Sequence, residues 1–168
     1  LGEEKDASKI AKNIVKTRSI KKITKVDQLV KIIEMSKKKN FLSKINPSTK
    51  TFQALRIFVN KEISELINGI TYATKFLRPG GRLIVISFHS IEDKIIKYYF
   101  SNFSKNRSNP SRYLPEDGEN EFFLFESYNK KLFKPSKNEI IKNKPSRSAK
   151  LRFAIRSKDK FFLPTAFF

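Results

Sequence analysis

The only histidine among the 168 residues lies in Ser87-Phe88-His89-Ser90, directly after the apolar run Leu83-Ile84-Val85-Ile86. A run this short and β-branched predicts a strand, and open α/β sheets bind ligands beyond the carboxyl ends of their strands. An imidazole there can accept a proton or hydrogen-bond a base or a phosphate, because its charge changes near neutral pH. The competing account is local: Ser87 and His89 tie down the turn, and Ser90 caps the next helix.

A second group lies in Asn46-Pro47-Ser48-Thr49-Lys50-Thr51-Phe52-Gln53-Ala54-Leu55-Arg56 and continues to Asn60 and Glu62. Gln53, Arg56 and Asn60 are spaced by three and four, so they share one helical stripe. An Arg between two amides suits phosphates and base edges, since its planar fork binds two acceptors at once. A solvated helix face explains the same pattern. The third group is the basic stretch Lys142, Lys144, Arg147, Lys150, Arg152 and Arg156. On an edge strand these cations can follow a phosphate backbone, or they can simply guard that edge against aggregation.

Several chemistries leave no mark. The chain has no cysteine, and no cluster with metal-ligand spacing. No P-loop or GxGxxG occurs, and Gly80-Gly81 precedes a strand instead of following one, so it reads as a turn.

The elements that must position these groups follow from periodicity. Residues 3–17 carry Ala7, Ile10, Ala11, Ile14 and Val15, with Glu3, Glu4 and Asp6 first and Lys16 and Arg18 last, which predicts an amphipathic helix matched to its dipole. A second helix is expected from a Thr24 N-cap paired with Asp27, ending at the Lys37–Asn40 run. Over residues 48–77, Phe52, Leu55, Val59, Ile63, Leu66, Ile70, Ala73 and Leu77 form one continuous stripe to be buried, in one helix or in two broken at Gly69. Leu83–Ile86 suits a parallel strand buried on both faces, and Ser90-Ile91-Glu92-Asp93 reads as a capping box opening a helix to about Phe100. Helix, strand, helix in that order is a βα unit of a doubly wound sheet. Residues 101–120 read as a surface loop, Glu121–Glu126 as a strand, and Ser148–Arg156 as a half-exposed strand with Leu151, Phe153 and Ile155 inward.

The balance of 36 Lys+Arg against 16 Asp+Glu gives +20. Such an excess points to a polyanion, with nucleic acid first; the competing account is lysine drift in an AT-rich genome. No apolar run approaches the roughly 20 residues of a membrane span, and the first 25 residues hold no signal-peptide core. A cysteine-free chain fits the cytoplasm. The start at Leu1-Gly2 suggests a fragment or a processed product.

Three ordered motifs, Asn46–Ile63 (NPSTKTFQALRIFVNKEI), Leu77–Lys97 (LRPGGRLIVISFHSIEDKIIK) and Asn143–Arg156 (NKPSRSAKLRFAIR), resemble the 16S ribosomal RNA cytosine-N4 methyltransferases. The opening GEEKDASKIAKNIVKTR is similar to that family's GEExxAxxIAxxIVxxR helix. The resemblance spans Gly2 to Arg156; Asn46 stands where the family commonly has His, and Lys50 where it has Arg. It implies an α/β chain, the later strands of a Rossmann-like class I methyltransferase sheet plus part of a helical insertion. Residues 1–45 would end that RNA-recognition insertion, 46–157 would be the C-terminal part of the methyltransferase domain, and 158–168 a tail.

The implied activity is S-adenosylmethionine-dependent N4-methylation of a cytidine in 16S rRNA, with the small ribosomal subunit as partner and no membrane. The implied catalytic candidates are Ser87, His89 and Asp93. Lys50, Gln53, Arg56, Asn60, Ser90, Arg147, Lys150 and Arg152 would meet RNA. The family's cofactor-binding loop lies upstream of everything present, so no cofactor-binding residue is expected here and the isolated chain should be inactive. A non-catalytic RNA-binding protein is the alternative from another class.

Overall fold

A computed structural model describes residues 3–37, 46–105 and 122–164. The chain divides into two compact units, Leu1–Glu62 and Ile63–Phe168.

The first unit is helical: α1 (Ala7–Ile20), α2 (Val26–Ser36) and α3 (Thr49–Val59). Ile10 of α1 and Ile32 and Ile33 of α2 are buried, and the Asn13 side chain donates across to Ser36 Oγ at 2.8 Å. Glu4 ties three segments together. Its carboxylate takes Lys37 Nζ at 2.5 Å, the Thr51 hydroxyl at 3.2 Å and the Asp6 amide at 3.2 Å. Burial pushes the Glu4 carboxyl upward, but the Lys37 hydrogen bond and charge, with the Asp6 and Thr51 bonds, outweigh it and hold it below the usual range.

The cap of α2 lies one residue beyond the expected one. Lys25 is the N-cap, and it is Gln28, not Asp27, whose side chain accepts from the Thr24 and Lys25 amides (2.9 and 3.2 Å). The longer glutamine reaches back to both donors. The end expected in the Lys37–Asn40 run falls partly outside the described residues; α2 stops at Ser36.

The second unit contains α4 (Glu62–Phe76) from its second residue on, β1 (Arg82–Ser87), α5 (Ser90–Asn102), β2 (Phe125–Tyr128), α6 (Lys137–Lys142), a 3-10 turn (Lys144–Ser148) and β3 (Lys150–Arg156). Its core is Ile70, Ile96, Tyr99, Phe100, Leu124, Phe125, Tyr128 and Ala154. Aromatic rings meet edge to face there, with Phe100 5.2 Å and Tyr99 6.1 Å from Phe125.

The break between α3 and α4 falls at Asn60-Lys61, where Lys61 has φ 52°, and not at Gly69, which continues α4. The expected continuous stripe is therefore interrupted: Ile70 is buried, but Leu55 and Val59 are exposed. At Gly80-Gly81 the glycines are required. Gly80 has φ 77°, and a Cβ on Gly81 would lie 2.8 Å from the Leu77 side chain.

The sheet corrects two expectations. Its order is β1-β3-β2, with both flanking strands antiparallel to β3. β1 is thus an edge strand among the described residues, antiparallel to its neighbour, with Ile84 and Ile86 57% and 56% exposed. An unbroken apolar run cannot reveal which face lacks cover. β3 is central, not an edge, and its alternation is inverted: Arg152 and Arg156 are buried, while Leu151, Phe153 and Ile155 are half-buried. Charge placed these arginines outside on paper, yet each has buried partners that make the inside position favourable.

Two smaller differences concern the C-terminal half. β2 begins at Phe125 and not at Glu121, which lies outside the described residues, and α6 forms over Lys137–Lys142, where periodicity predicts no element. Of the expected loop at 101–120, residues 106–120 lie outside the description; α5 runs through Asn102. No helix among the described residues is long and apolar enough to cross a membrane.

Candidate functional site

β1 delivers Ser87, 2% exposed, to its C-terminal end. Phe88 follows, and α5 starts at Ser90. The N-cap is His89, one residue before the expected Ser90, and the box partner is Glu92 instead of Asp93. The Glu92 amide donates to His89 Nδ1 at 3.4 Å, while Glu92 Oε2 accepts from the Phe88 amide at 3.0 Å. The first bond satisfies an orphan donor of the first turn, and the second ties the residue before the cap to it.

His89 Nε2 lies 2.9 Å from Glu92 Oε1, a close contact without in-line hydrogen-bond geometry. With Nδ1 accepting, the ring proton belongs on Nε2. The imidazole is therefore hydrogen-bonded through Nδ1, while Nε2 is buried against the Glu92 carboxylate. The carboxylate is different: an ionised carboxylate has about four acceptor positions, and the Glu92 side chain is 27% exposed. Glu92 has acceptor capacity left and an opening to solvent.

Asp93 points the other way, onto the sheet. Arg152 of the central strand grips it with two bonds, Nε to Oδ1 at 2.6 Å and Nη2 to Oδ2 at 3.3 Å, and Lys150 Nζ approaches to 3.6 Å. Burial pushes the Asp93 carboxyl up, but the Arg152 bonds and charge, then Lys150, hold it below the usual carboxylate range. The Asp93 amide donates to the His89 carbonyl at 3.2 Å, so the pair anchors the His89 turn to β3.

The second unit thus gathers Ser87, His89, Ser90, Asp93, Lys150 and Arg152 around the C-terminal end of β1, since Ser87 pairs in register with Lys150. Arg147 is exposed on the preceding 3-10 turn. Arg152 is 5% exposed and committed to Asp93, so as placed it offers no cation to a phosphate. In the first unit, Lys50 is exposed and donates to the Glu3 carbonyl at 3.3 Å, and Gln53 is half-buried. Arg56 is paired with Glu62 at 2.8 Å, and Asn60 is the exposed C-cap of α3, bonded to the same carboxylate at 3.4 Å. Glu92 carries one mark in the sequence, a carboxylate three residues after the histidine.

The model of the MraW methylase family matches residues 1–157. The chain belongs to that family. It is 44% identical to a ribosomal RNA small subunit methyltransferase H of Bartonella bacilliformis, over 94% of this chain and 47% of that protein. A protein of the same name from Sinorhizobium fredii is 41% identical, over 94% and 46%. A 12S rRNA N(4)-cytidine methyltransferase of Homo sapiens is 40% identical, over 92% and 44%. The chain spans about half the length of the curated relatives it matches.

Methylases of this kind imply S-adenosylmethionine. The residues described here do not provide a site for it: Gly80 and Gly81 enter β1 instead of leaving a strand, and the C-terminal end of β1 is occupied by the His89–Glu92 cap.

Proposed function

We propose that the chain is the acceptor-side portion of an S-adenosylmethionine-dependent enzyme that methylates N4 of a cytidine in small-subunit ribosomal RNA. The observation that carries this reading is the match, over more than nine-tenths of the chain, to proteins named as ribosomal RNA methyltransferases, one of them for N(4)-cytidine. The sheet order supports it. A final strand inserted antiparallel between two others suits the closing strands of a Rossmann-like methyltransferase sheet, with residues 1–45 as the end of a helical insertion, 46–157 as the later part of the catalytic domain and 158–168 as a tail. The cytoplasm, where ribosomal subunits are modified, is the proposed compartment.

The exocyclic amine of cytosine is a hydrogen-bond donor that must be oriented and must lose a proton. Carboxylates are the side chains that accept from that amine. At the end of β1, Glu92 is the carboxylate with acceptor positions left, His89 fixes its rotamer, and Asp93 with Arg152 anchors the turn from beneath. Ser87 and Ser90 flank it. Glu92 therefore receives the amine hydrogen bond, and His89 and Asp93 position it.

The test is methyl transfer to 16S rRNA by a protein of the relatives' full length carrying this sequence, followed by nucleoside analysis. N4-methylcytidine is expected. Glu92→Gln, which keeps the cap acceptor but loses the charge, should lower kcat by about 10²-fold with little change in RNA affinity. A wild-type protein that leaves N4-methylcytidine undetected overturns the function, whereas an active Glu92→Gln variant overturns only the role of Glu92.

A further inference from the structure

From Ala7 to Val26 the chain has seven basic residues, Lys9, Lys12, Lys16, Arg18, Lys21, Lys22 and Lys25, and no acidic one. All seven are exposed. Within α1, Lys9, Lys12 and Lys16 are spaced by three and four, which at 3.6 residues per turn confines them to an arc of about 60° along about 10 Å of axis. Ile10 and Ile14 lie on the opposite side, where Ile10 is buried, and Asn13, on the flank between them and the stripe, bonds to Ser36 of α2.

This stripe has a cost. Like charges three and four apart on a helix repel and destabilise it, and among the described residues no carboxylate forms an ion pair with Lys9, Lys12 or Lys16. A polyanion laid along the stripe would remove that repulsion. We infer that the outer face of α1, carrying Lys9, Lys12 and Lys16 and continued by Lys21 and Lys22, is a docking surface for the phosphate backbone of RNA. This rests on the reading that the substrate is RNA, and it adds a contact surface outside the β1 site.

The stripe holds neither an aromatic ring to stack on a base nor an amide to read an edge, so binding there is electrostatic and tolerant of sequence. A lipid surface is disfavoured as the occupant. Helices that lie on membranes bury their apolar face in the headgroup region, and on the apolar side of α1 Ile10 is already buried and Ile14 half-buried.

The experiment uses the 168-residue chain and a fluorescently labelled 20-nucleotide polyuridine strand, with anisotropy measured across a salt series. The triple variant Lys9→Gln/Lys12→Gln/Lys16→Gln should bind at least about tenfold more weakly, and its log–log salt slope should shrink by about 2, since each lost phosphate contact on a single strand removes about 0.7. The triple Lys→Arg variant should bind like wild type. A control that loses the same charge elsewhere, Lys130→Gln/Lys134→Gln/Lys137→Gln, should lose much less. The glutamine variant should melt no lower than wild type, because a repulsion has been removed.

Equal losses in stripe and control variants overturn the inference while leaving the proposed function standing. So does tighter binding to phosphatidylserine vesicles than to RNA. A chain that does not bind the polyuridine strand at all also overturns the inference, whereas the proposed function falls only with the methyl-transfer assay.

Discussion

At the scale of single residues, Asp93 and Arg152 show how a charged motif changes meaning once folded. Removing one partner of a buried pair strands the other charge, and such changes typically cost about 3–5 kcal/mol. Asp93→Asn should therefore lower the melting temperature markedly. The pH dependence follows from the direction of the shift. A carboxyl held below its usual range is stabilising above the unfolded value, near 4, and that contribution disappears as pH falls through the lower folded value. Thermal melts from pH 6 down to pH 2 should show an acid-side loss of stability in wild type, and a shallower one in Asp93→Asn. Parallel profiles would mean that the pair contributes nothing net. Glu4, depressed by Lys37, adds to the same window.

At the scale of elements, the joint between α3 and α4 is the strained point. Lys61 sits at φ 52°, a conformation that costs a side-chain-bearing residue about 1 kcal/mol or more relative to glycine. Lys61→Gly should therefore raise stability by about 1 kcal/mol in urea melts, and a decrease would show that the joint is held by the side chain. That joint also marks where sequence stopped being informative. The periodicity over 48–77 continued across it, so Asn60-Lys61 was invisible while Gly69 looked like a break.

The helices α1 to α5, β1 and its terminal turn were legible, because apolar spacing and the Gly80-Gly81 pair are local signals, whereas the short polar α6 carries no such spacing. The inversion of β3 was not. Whether Arg152 and Arg156 face water or the interior depends on partners far away in sequence, Asp93 for the first and the Leu124 carbonyl for the second. Period-two alternation identifies two faces without saying which one is covered. The site was half legible for a similar reason: His89 stood out as a lone imidazole, but its engagement with Glu92 required the helix to begin one residue early.

At the scale of the whole molecule, the chain spans about half the length of the relatives it matches. Without a donor site among the described residues, titration calorimetry of this chain with S-adenosylmethionine should give no specific heat, and a micromolar Kd would overturn the separation of donor and acceptor sides. The molecule nonetheless carries its own reporter. Because His89 is the only histidine, its ring contributes one isolated set of imidazole signals to a nitrogen-correlated magnetic resonance spectrum, and the same ring closes the first turn of α5. Fraying of that turn can thus be followed on a nitrogen-15-enriched sample without mutations or assignment, at the place where chemistry is proposed to occur.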